Sequence, residues 1–312
     1  MCDHSDTDSV LSDLSPIRLD AEFVAAIRPE RPMDGHKGTF GNLLVWAGSE
    51  GMAGAAFMCA EAAARSGAGI VRLYLPRPLI LPLLIMLPQA VSHAIPGTAE
   101  EAREDLSALL PKIDACAVGP GLDPSDIIVR DILLYMAEHA ERIVLDASAL
   151  TVISREPEVF RPVFLARKEK GLAPAVLTPH PGEFSRLVPG WNKEDRLLAP
   201  KTFSRDWNTV LVLKGYETTV FLPGGECYIN STGNDGMAKG GSGDVLTGLI
   251  GGLLAQGVSP ADAATAGVFL HGLAGDLAAG KLGRRSMQPT DLSACFTEAF
   301  RRVKWESYEM DG

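Results

Sequence analysis

The sequence has no excess of basic residues: its 29 lysines and arginines are outnumbered by 39 aspartates and glutamates, for a formal net charge of −10. Proteins that hold a nucleic-acid backbone do so with clustered Lys and Arg, so this balance argues against a nucleic-acid partner. It does not argue against a nucleotide ligand, because backbone N–H groups bind phosphate without any net positive charge.

Cysteines and long apolar runs are also scarce. The five cysteines form no CxxC pair and have no regular spacing, which indicates reduced thiols in a cytoplasmic protein and neither a disulfide framework nor a zinc site. The most apolar stretch, residues 79–87, is too short to span a bilayer and contains Pro82, so no membrane association is expected. Residues 1–18 begin rich in Asp and Ser and lack the basic and apolar segments of a signal peptide, so we expect a disordered leader there.

Three catalytic signatures are missing. No GxGxxG lies near the first predicted strand with an acidic residue after the second, and no GxxxxGK[ST] occurs, so neither a dinucleotide fingerprint nor a P-loop is present. The six histidines form no HExxH or other paired ligand spacing. The chemistry must therefore lie in other segments.

Strand-like and helix-like segments alternate over residues 19–312, which we interpret as a single α/β domain. Short apolar runs predict strands at 42–47, 70–75, 114–118, 142–145, 175–177 and 210–213. Segments 219–222 and 226–229 flank a Pro-Gly-Gly turn and predict an antiparallel hairpin. Helices are predicted at 52–66, 245–255, 261–279 and 292–303. This order predicts a mostly parallel, doubly wound sheet with an antiparallel edge, whose ligand site lies at the C-terminal ends of the strands.

The segment richest in chemistry is NSTGNDGMAKGGSGDVLTG, residues 230–248, in which five glycines lead into an apolar helical run. A glycine-rich helix start presents free N–H groups at the positive end of the helix dipole, so we predict an anion hole at Gly241, Ser242 and Gly243. Asp244 follows in the first helical turn. It is either an acidic residue favoured by the dipole or a general base for a substrate hydroxyl.

Two other segments follow predicted strands. In 214–218, KGYET, Lys214 and Thr218 can reach a phosphate, or Lys214 is a solvated lysine in a turn. In 178–183, TPHPGE, two prolines fix the backbone around His180, which predicts either substrate contact or a structural turn with a capped helix. The small residues at 119–121 and 48–56 either approach a ligand or serve close packing.

In order along the chain, KGTFGNLLVWAGSEGMAGAA, AVGPGLD, LTPHPGE, LKGYET and NSTGNDGMAKGGSGDVLTG resemble the NAD(P)H-hydrate dehydratase family of the ribokinase-like superfamily. The resemblance covers residues 37–303 and implies a ribokinase-like three-layer sandwich. It implies an enzyme that phosphorylates the extra ring hydroxyl of hydrated NADH or NADPH from ADP or ATP. Loss of phosphate then restores the ring double bond. Mg²⁺ is implied as the companion of the nucleotide.

The resemblance also implies roles for residues at matching positions. Those expected to contact the hydrated dinucleotide are Ala55, Gly121, His180 and Asp244, the last as the catalytic base. Those expected to contact ADP or ATP are Lys214, Gly215, Tyr216, Glu217, Thr218 and Gly243. No residue identifies itself as a metal ligand. Ser148, in VLDASAL, departs from the pattern: the family commonly has a second acidic residue there, after Asp146. Its charge is missing, although a serine can still hydrogen-bond.

Further expectations from the resemblance concern partners. It implies small-molecule substrates, a separate epimerase in the same pathway and a homotetramer, for which residues 79–87 are an interface or else core. Two other functions stay open from the residues. A small-molecule kinase of the same fold would use Asp244 in the same way and keep its phosphorylated product, whereas a catalytically silent nucleotide binder would explain Ser148 but needs no base at position 244. The residues do not distinguish ADP from ATP, or NADH-hydrate from NADPH-hydrate.

Overall fold

Ten strands form one sheet through the residues that this computed structural model describes, 15–306. In chain order they are β1 Ile17–Arg18, β2 Asn42–Trp46, β3 Ile70–Leu75, β4 Val91–Ala94, β5 Ala115–Val118, β6 Ile143–Leu145, β7 Val176–Leu177, β8 Val210–Leu213, β9 Thr219–Phe221 and β10 Cys227–Ile229.

The strands lie in the order β1-β10-β9-β8-β7-β6-β5-β2-β3-β4. β9 runs antiparallel to both of its neighbours, and the other pairings are parallel. The chain moves outward in both directions from the β2–β5 pair, so the topological switch point lies at their C-terminal ends, where open α/β sheets bind ligands. The predicted mostly parallel sheet and the hairpin are confirmed.

Helices cover both faces of the sheet. Within the described residues they are α1 Ala21–Ala25, α2 Ala53–Arg65, α3 Arg77–Met86, α4 Ala99–Leu109, α5 Ile127–His139, α6 Ser148–Arg155, α7 Pro157–Glu169, α8 Pro181–Leu187, α9 Leu198–Trp207, α10 Ser242–Ala255, α11 Pro260–Leu282, α12 Pro289–Ala294 and α13 Phe296–Arg302.

Alternating side chains of the inner strands enter two separate cores. Leu43 and Val45 of β2 pack into the core that includes residues of α1–α3 and α10–α13, whereas Leu44 and Trp46 pack into the core built with α4–α9. This arrangement is the three-layer sandwich that was predicted.

The assignment of residues 19–312 to a single domain stays a prediction. No helix between residues 15 and 306 is both long enough and apolar enough to span a bilayer.

Two predicted boundaries were wrong. Ile17 and Arg18 form β1 within the segment predicted as a disordered leader, 1–18, because the edge of β10 pairs with them in parallel register. The remainder of that leader, 1–14, lies outside the described residues. The helix predicted at 292–303 is two helices, α12 and α13, which are separated at Cys295 (φ −91°, ψ −1°).

The helix that carries the glycine-rich segment packs tightly against the first large helix of the domain. A Cβ on Gly248 of α10 would lie 2.0 Å from the carbonyl oxygen of Cys59 in α2, so only glycine permits this approach. The helix begins at Ser242, three residues before the predicted start, and Asp244 is therefore within its first turn. The contact between Gly248 and Cys59 therefore fixes the orientation of the first turn of α10.

Candidate active site

The loops after the central parallel strands are joined to each other by backbone hydrogen bonds. The Gly48 N–H, after β2, donates to Pro120 O at 2.7 Å, and the Lys214 N–H, after β8, donates to Pro179 O at 2.8 Å. Neighbouring loops therefore hold one another at the C-terminal edge of the sheet. The segments 48–56, 119–121, 178–183 and 214–218 follow strands that end at this edge. The glycine-rich segment brings the start of α10 to the same edge.

The start of α10 has free hydrogen-bond donors. Gly241 precedes the helix in a left-handed conformation (φ +103°), which glycine adopts without strain. The N–H groups of Gly243 and Asp244 donate to no other residue that the structure describes, and the buried Ser242 Oγ has no partner there either. These donors lie at the positive end of a helix dipole, an arrangement that binds anions. The role of Gly241, Ser242 and Gly243 as an anion hole stays a prediction.

Lys214 forms an ion pair beneath this helix start. Its Nζ lies 2.6 Å from Asp146 Oδ1 and 3.9 Å from Glu183 Oε2. Thr247 Oγ1, one turn into α10, donates to the other Asp146 oxygen at 2.8 Å. Burial by itself would raise the pKa of Asp146, but the Lys214 ammonium and these hydrogen bonds hold it below its ordinary value of 3.8. The alternative of a solvated lysine was wrong, because only 18% of the Lys214 side chain is exposed.

Asp244 has the opposite electrostatic environment. Burial, and then the negative charge of Asp146, raise its pKa from 3.8 to about 7, although Lys214 acts in the other direction. Two neighbouring carboxylates whose pKa values are moved apart are a common arrangement in acid–base catalysis. A carboxylate with a pKa near neutrality can accept a proton from a hydroxyl and release it again at physiological pH.

His180 is the N-cap of α8. Its Nδ1 accepts from the N–H groups of Gly182 (3.0 Å) and Glu183 (3.3 Å), and the Glu183 carboxylate accepts from the His180 N–H at 2.8 Å. The structural alternative for this segment, a capped helix, is therefore confirmed. The imidazole is 53% exposed, although its Nε2 lies 3.4 Å from Glu183 Oε1, and substrate contact stays a prediction.

Ala55 and Gly121 lie together across the switch point. A Cβ on Gly121 would come within 2.8 Å of the Ala55 Cβ, and Ser49 Oγ donates to the Gly121 carbonyl at 2.8 Å. The loops after β2 and β5 therefore approach each other closely at these two small residues. Their contact with a substrate stays a prediction.

The turn that follows Lys214 is held by its own hydrogen bonds. The Thr218 hydroxyl bonds both the N–H (3.2 Å) and the carbonyl (3.0 Å) of Gly215, and Glu217 adopts a left-handed conformation at φ +55°. Tyr216 is 88% exposed at the tip of the turn. Lys214 and the rest of this segment therefore point in different directions, one inward to Asp146 and the other outward to solvent.

Ser148 connects two of the active-site loops. Its Oγ donates to the Leu122 carbonyl at 2.7 Å, which an ionised acidic residue could not do. The preceding residue, Ala147, has a strained backbone at φ +51° and ψ −113°.

Residues 15–306 contain no cluster of three or more His, Cys, Asp or Glu side chains that could hold a metal ion.

His271 was missed by the sequence analysis. It lies within α11, and its Nε2 is 2.9 Å from the carbonyl oxygen of Ser242 in the first turn of α10. Burial lowers the pKa of His271 from 6.5 to about 4 despite this bond, so the imidazole is neutral at pH 7 and donates through Nε2–H. A single histidine in an apolar helix gives no sequence pattern that points to such a contact.

A mostly parallel, doubly wound sheet covered by helices on both faces, with a helix start at the C-terminal edge of its strands, defines an α/β protein of the ribokinase-like class. The comparisons with known proteins are more specific. The chain belongs to the NAD(P)H-hydrate dehydratase family, whose model matches residues 43–298.

Individual relatives agree with this assignment. The bifunctional NAD(P)H-hydrate repair enzyme of Moorella thermoacetica is 39% identical over 92% of this chain and 54% of its own length. The ADP-dependent (S)-NAD(P)H-hydrate dehydratase of Neisseria meningitidis is 40% identical over 79% of this chain and 80% of its own length. A crystal structure of the ADP/ATP-dependent NAD(P)H-hydrate dehydratase of Bacillus subtilis, co-crystallized with ATP and Mg²⁺, has a TM-score of 0.78 and 30% identity, and covers 93% of this chain and 99% of that one. The chain spans about half the length of the bifunctional relatives it matches.

Proposed function

We propose that this chain is an ADP- or ATP-dependent (S)-NAD(P)H-hydrate dehydratase, a lyase that restores NADH or NADPH from its hydrated form. The observation that carries the proposal is the position of Asp244: a carboxylate with a pKa near 7 lies in the same helical turn as unpaired N–H donors. Membership of the family supports the choice of substrate.

In the proposed first step, the ring hydroxyl is phosphorylated. Asp244 accepts the proton of the ring hydroxyl, whose oxygen attacks the terminal phosphorus of the nucleotide. The bond from that phosphorus to the nucleotide's bridging oxygen breaks, so that ADP leaves as AMP or ATP leaves as ADP. The N–H groups of Gly243 and Asp244 stabilise the charge on the transferring phosphoryl group.

The second step removes the phosphate. The bond between the ring carbon and the ester oxygen breaks, inorganic phosphate leaves, and the adjacent ring carbon loses a proton as the double bond forms. In this scheme Ala55, Gly121 and His180 hold the hydrated dinucleotide. The adenine nucleotide is held by Gly243 and the turn at 214–218.

Lys214 acts from beneath the anion hole. A Cβ on Gly243 would lie 3.2 Å from Lys214 Nζ and 3.4 Å from Asp146 Oδ2, so the ammonium is directly below the Gly243 backbone. Its ion pair with Asp146 fixes its position, and Thr247 ties that carboxylate to α10. The positive charge of Lys214 is thereby held close to where a phosphate would bind.

Mg²⁺ does not fit as an ion held by the protein alone. The described residues offer no cluster of three ligating side chains, and Asp146 is already engaged by Lys214 and Thr247. A Mg²⁺ ion commonly reaches such sites on the nucleotide phosphates, with few protein ligands. We therefore propose that it enters with ADP or ATP.

We also propose a cytoplasmic homo-oligomer, of four copies as the resemblance implies, that acts in the same pathway as an epimerase. Three apolar residues of α3, within the segment singled out as interface or core, support self-association because they are largely exposed: Leu81 at 69%, Ile85 at 73% and Met86 at 53%. Light scattering on the purified protein tests this, and a monomer would contradict it.

Enzymatically hydrated NADH, Mg²⁺ and either ADP or ATP, mixed with the purified protein, test the proposed function. We expect absorbance of the reduced nicotinamide to return only when a nucleotide is present, with one phosphate released per NADH. A small-molecule kinase would consume nucleotide and keep its phosphorylated product, and a silent binder would give no turnover. Failure with both nucleotides in a folded protein would refute the proposal.

A further inference from the structure

A cavity of about 290 Å³ opens at the end of the domain opposite the candidate active site. It is lined by Ser66 and Gln256, the residues at which α2 and α10 end, whereas the starts of the same two helices face the active site. The 14 residues of α10 rise about 1.5 Å each, which places the two sites about 20 Å apart. The cavity is therefore separate from the catalytic machinery.

The cavity wall is strongly basic, in contrast to the protein as a whole. Four arginines line it, Arg28, Arg31, Arg65 and Arg301, against one carboxylate, Glu306. Arg65 is paired with Glu61 at 3.0 Å, and Arg301 lies 3.9 Å from Glu298. Arg28 and Arg31 have no carboxylate within 4.0 Å among the described residues.

Arg31 is held in place by neutral groups. Its Nη1 donates to the Gly67 carbonyl (2.9 Å) and to Gln256 Oε1 (3.1 Å), and its guanidinium lies 4.0 Å from the centre of the Phe40 ring. These contacts fix the direction of the side chain without neutralising its charge. An arginine fixed in this way is well suited to meet an anion, because little side-chain entropy is lost on binding.

Helix capping explains Arg31 but not Arg28. Cations are favoured at helix C-termini, and Arg31 satisfies a carbonyl at the end of α2 while the Gln256 amide bonds the carbonyls of Ser66 and Gly252. The Arg28 guanidinium has no hydrogen-bond partner within residues 15–306. Arg28 lines the same cavity as an exposed residue.

Two aromatic rings form another part of the wall. The rings of Phe300 and Trp305 are stacked with centroids 5.6 Å apart, and Trp305 Nε1 donates to the Val24 carbonyl at 2.9 Å. An apolar wall beside two guanidinium groups lowers the local dielectric and strengthens their attraction for an anion. A volume of about 290 Å³ accommodates a phosphate group with a small organic part attached.

We infer that this cavity is a second anion site, which binds a small phosphate-bearing ligand through Arg28 and Arg31. The ligand is either a free phosphate or pyrophosphate ion, or the phosphate of a mononucleotide. The site does not depend on the proposed reaction, since none of its residues belongs to the candidate active site.

Calorimetric titration of the folded protein with pyrophosphate, and separately with AMP, tests the inference at low ionic strength. The Arg28→Gln/Arg31→Gln variant should lose one class of binding by about tenfold or more, because it removes two charge-assisted contacts. Arg28→Gln alone leaves the Arg31 contacts intact and should also weaken that class. A Lys214→Met variant should affect only the other class, at the candidate active site.

A control variant, Arg103→Gln/Arg205→Gln, removes two surface arginines elsewhere and changes the net charge equally. Unchanged binding in this control, with loss in Arg28→Gln/Arg31→Gln, supports the site for whichever probe shows it. Tighter binding of AMP than of pyrophosphate would identify a nucleotide, and the reverse would identify the free ion. Equal binding by wild type and Arg28→Gln/Arg31→Gln, or equal weakening in the control, would overturn the inference.

Discussion

Lys214 Nζ and Asp146 Oδ1 lie 2.6 Å apart beneath the first turn of α10, on side chains that are 18% and 1% exposed. The pair connects the ends of two strands, β6 and β8, to the helix start that carries Asp244. It also separates the pKa values of two carboxylates, because Asp146 stays ionised through Lys214 and its charge helps to raise the pKa of Asp244.

Removal of Lys214 alone should be costly. In Lys214→Met, Asp146 is left buried without its counter-ion, and we expect a loss of about 3 kcal/mol in the free energy of unfolding. The Asp146→Asn/Lys214→Met double variant should recover part of that loss, since no unpaired charge remains. Urea denaturation measures both. Equal stability of Lys214→Met and wild type would show that the ion pair contributes nothing.

Replacement of Asp244 should lower activity in a protein that still folds. Asp244→Asn keeps the shape of the side chain but cannot accept the hydroxyl proton, so kcat/KM should fall by about 100-fold or more. In the wild type, kcat/KM should rise with pH through the pKa of about 7, because the base must be ionised. Steady-state rates between pH 5.5 and 8.5 check both expectations. Full activity in a folded Asp244→Asn protein would exclude the assigned base.

Asp244 and His271 should have opposite effects on stability as pH changes. The pKa of Asp244 is raised from 3.8 to about 7 by folding, so its contribution is complete below pH 3.8 and is lost as pH rises to 7. The pKa of His271 is lowered from 6.5 to about 4, so its contribution is complete above pH 6.5 and is lost as pH falls to 4.

The stability of each variant relative to wild type should therefore change with pH in opposite directions for the two residues. From pH 4 to 6.5, Asp244→Asn should become more stable relative to wild type, and His271→Gln should become less stable. Thermal denaturation across this range measures the trend. His271→Gln keeps a donor for the Ser242 carbonyl, whereas His271→Phe removes it and should lower activity further. Parallel slopes in the two variants would contradict the assigned environments.

Ser148 should prove to be a structural contact. Ser148→Ala removes its hydrogen bond to Leu122 and should cost about 1 kcal/mol. Ser148→Asp, which introduces the acidic charge that the resemblance leads us to expect at this position, should cost more, because a carboxylate would face the Leu122 carbonyl. Urea denaturation and rate measurements on both variants check this. Higher activity in Ser148→Asp would show that the position handles metal or phosphate.

Much of the fold could be predicted from short-range patterns. Apolar runs located six of the ten strands, since buried parallel strands are almost continuously hydrophobic, and the Pro-Gly-Gly turn located β9 and β10. β1 and β4 were missed: β1 has only two residues, and its exposed pattern depends on the edge of β10. β4 has intermediate burial along most of its length and no apolar run. Such edge strands form because a partner strand is available, which local sequence does not record.

The candidate site divides in the same way. The helix start and Asp244 were evident because the glycines and the carboxylate lie next to each other in one segment, residues 230–248. The partnership of Lys214 with Asp146 joins residues 68 positions apart, and that of His271 with Ser242 joins residues 29 apart. Only the packing of α10 and α11 on the sheet brings these groups together. Lys214 was therefore evident from its segment, but its inward direction and the contact made by His271 were not.

The claim that the ring hydroxyl is phosphorylated before it leaves can be tested with an oxygen label. Hydrated NADH prepared in ¹⁸O-water carries the label in that hydroxyl, and the phosphate released during turnover with ADP or ATP is analysed by mass spectrometry. We predict one ¹⁸O atom in each phosphate, because the ester oxygen leaves with the phosphorus. Unlabelled phosphate, with the ¹⁸O recovered in water, would show that nucleotide hydrolysis and dehydration are separate events and would contradict the assigned role of Asp244.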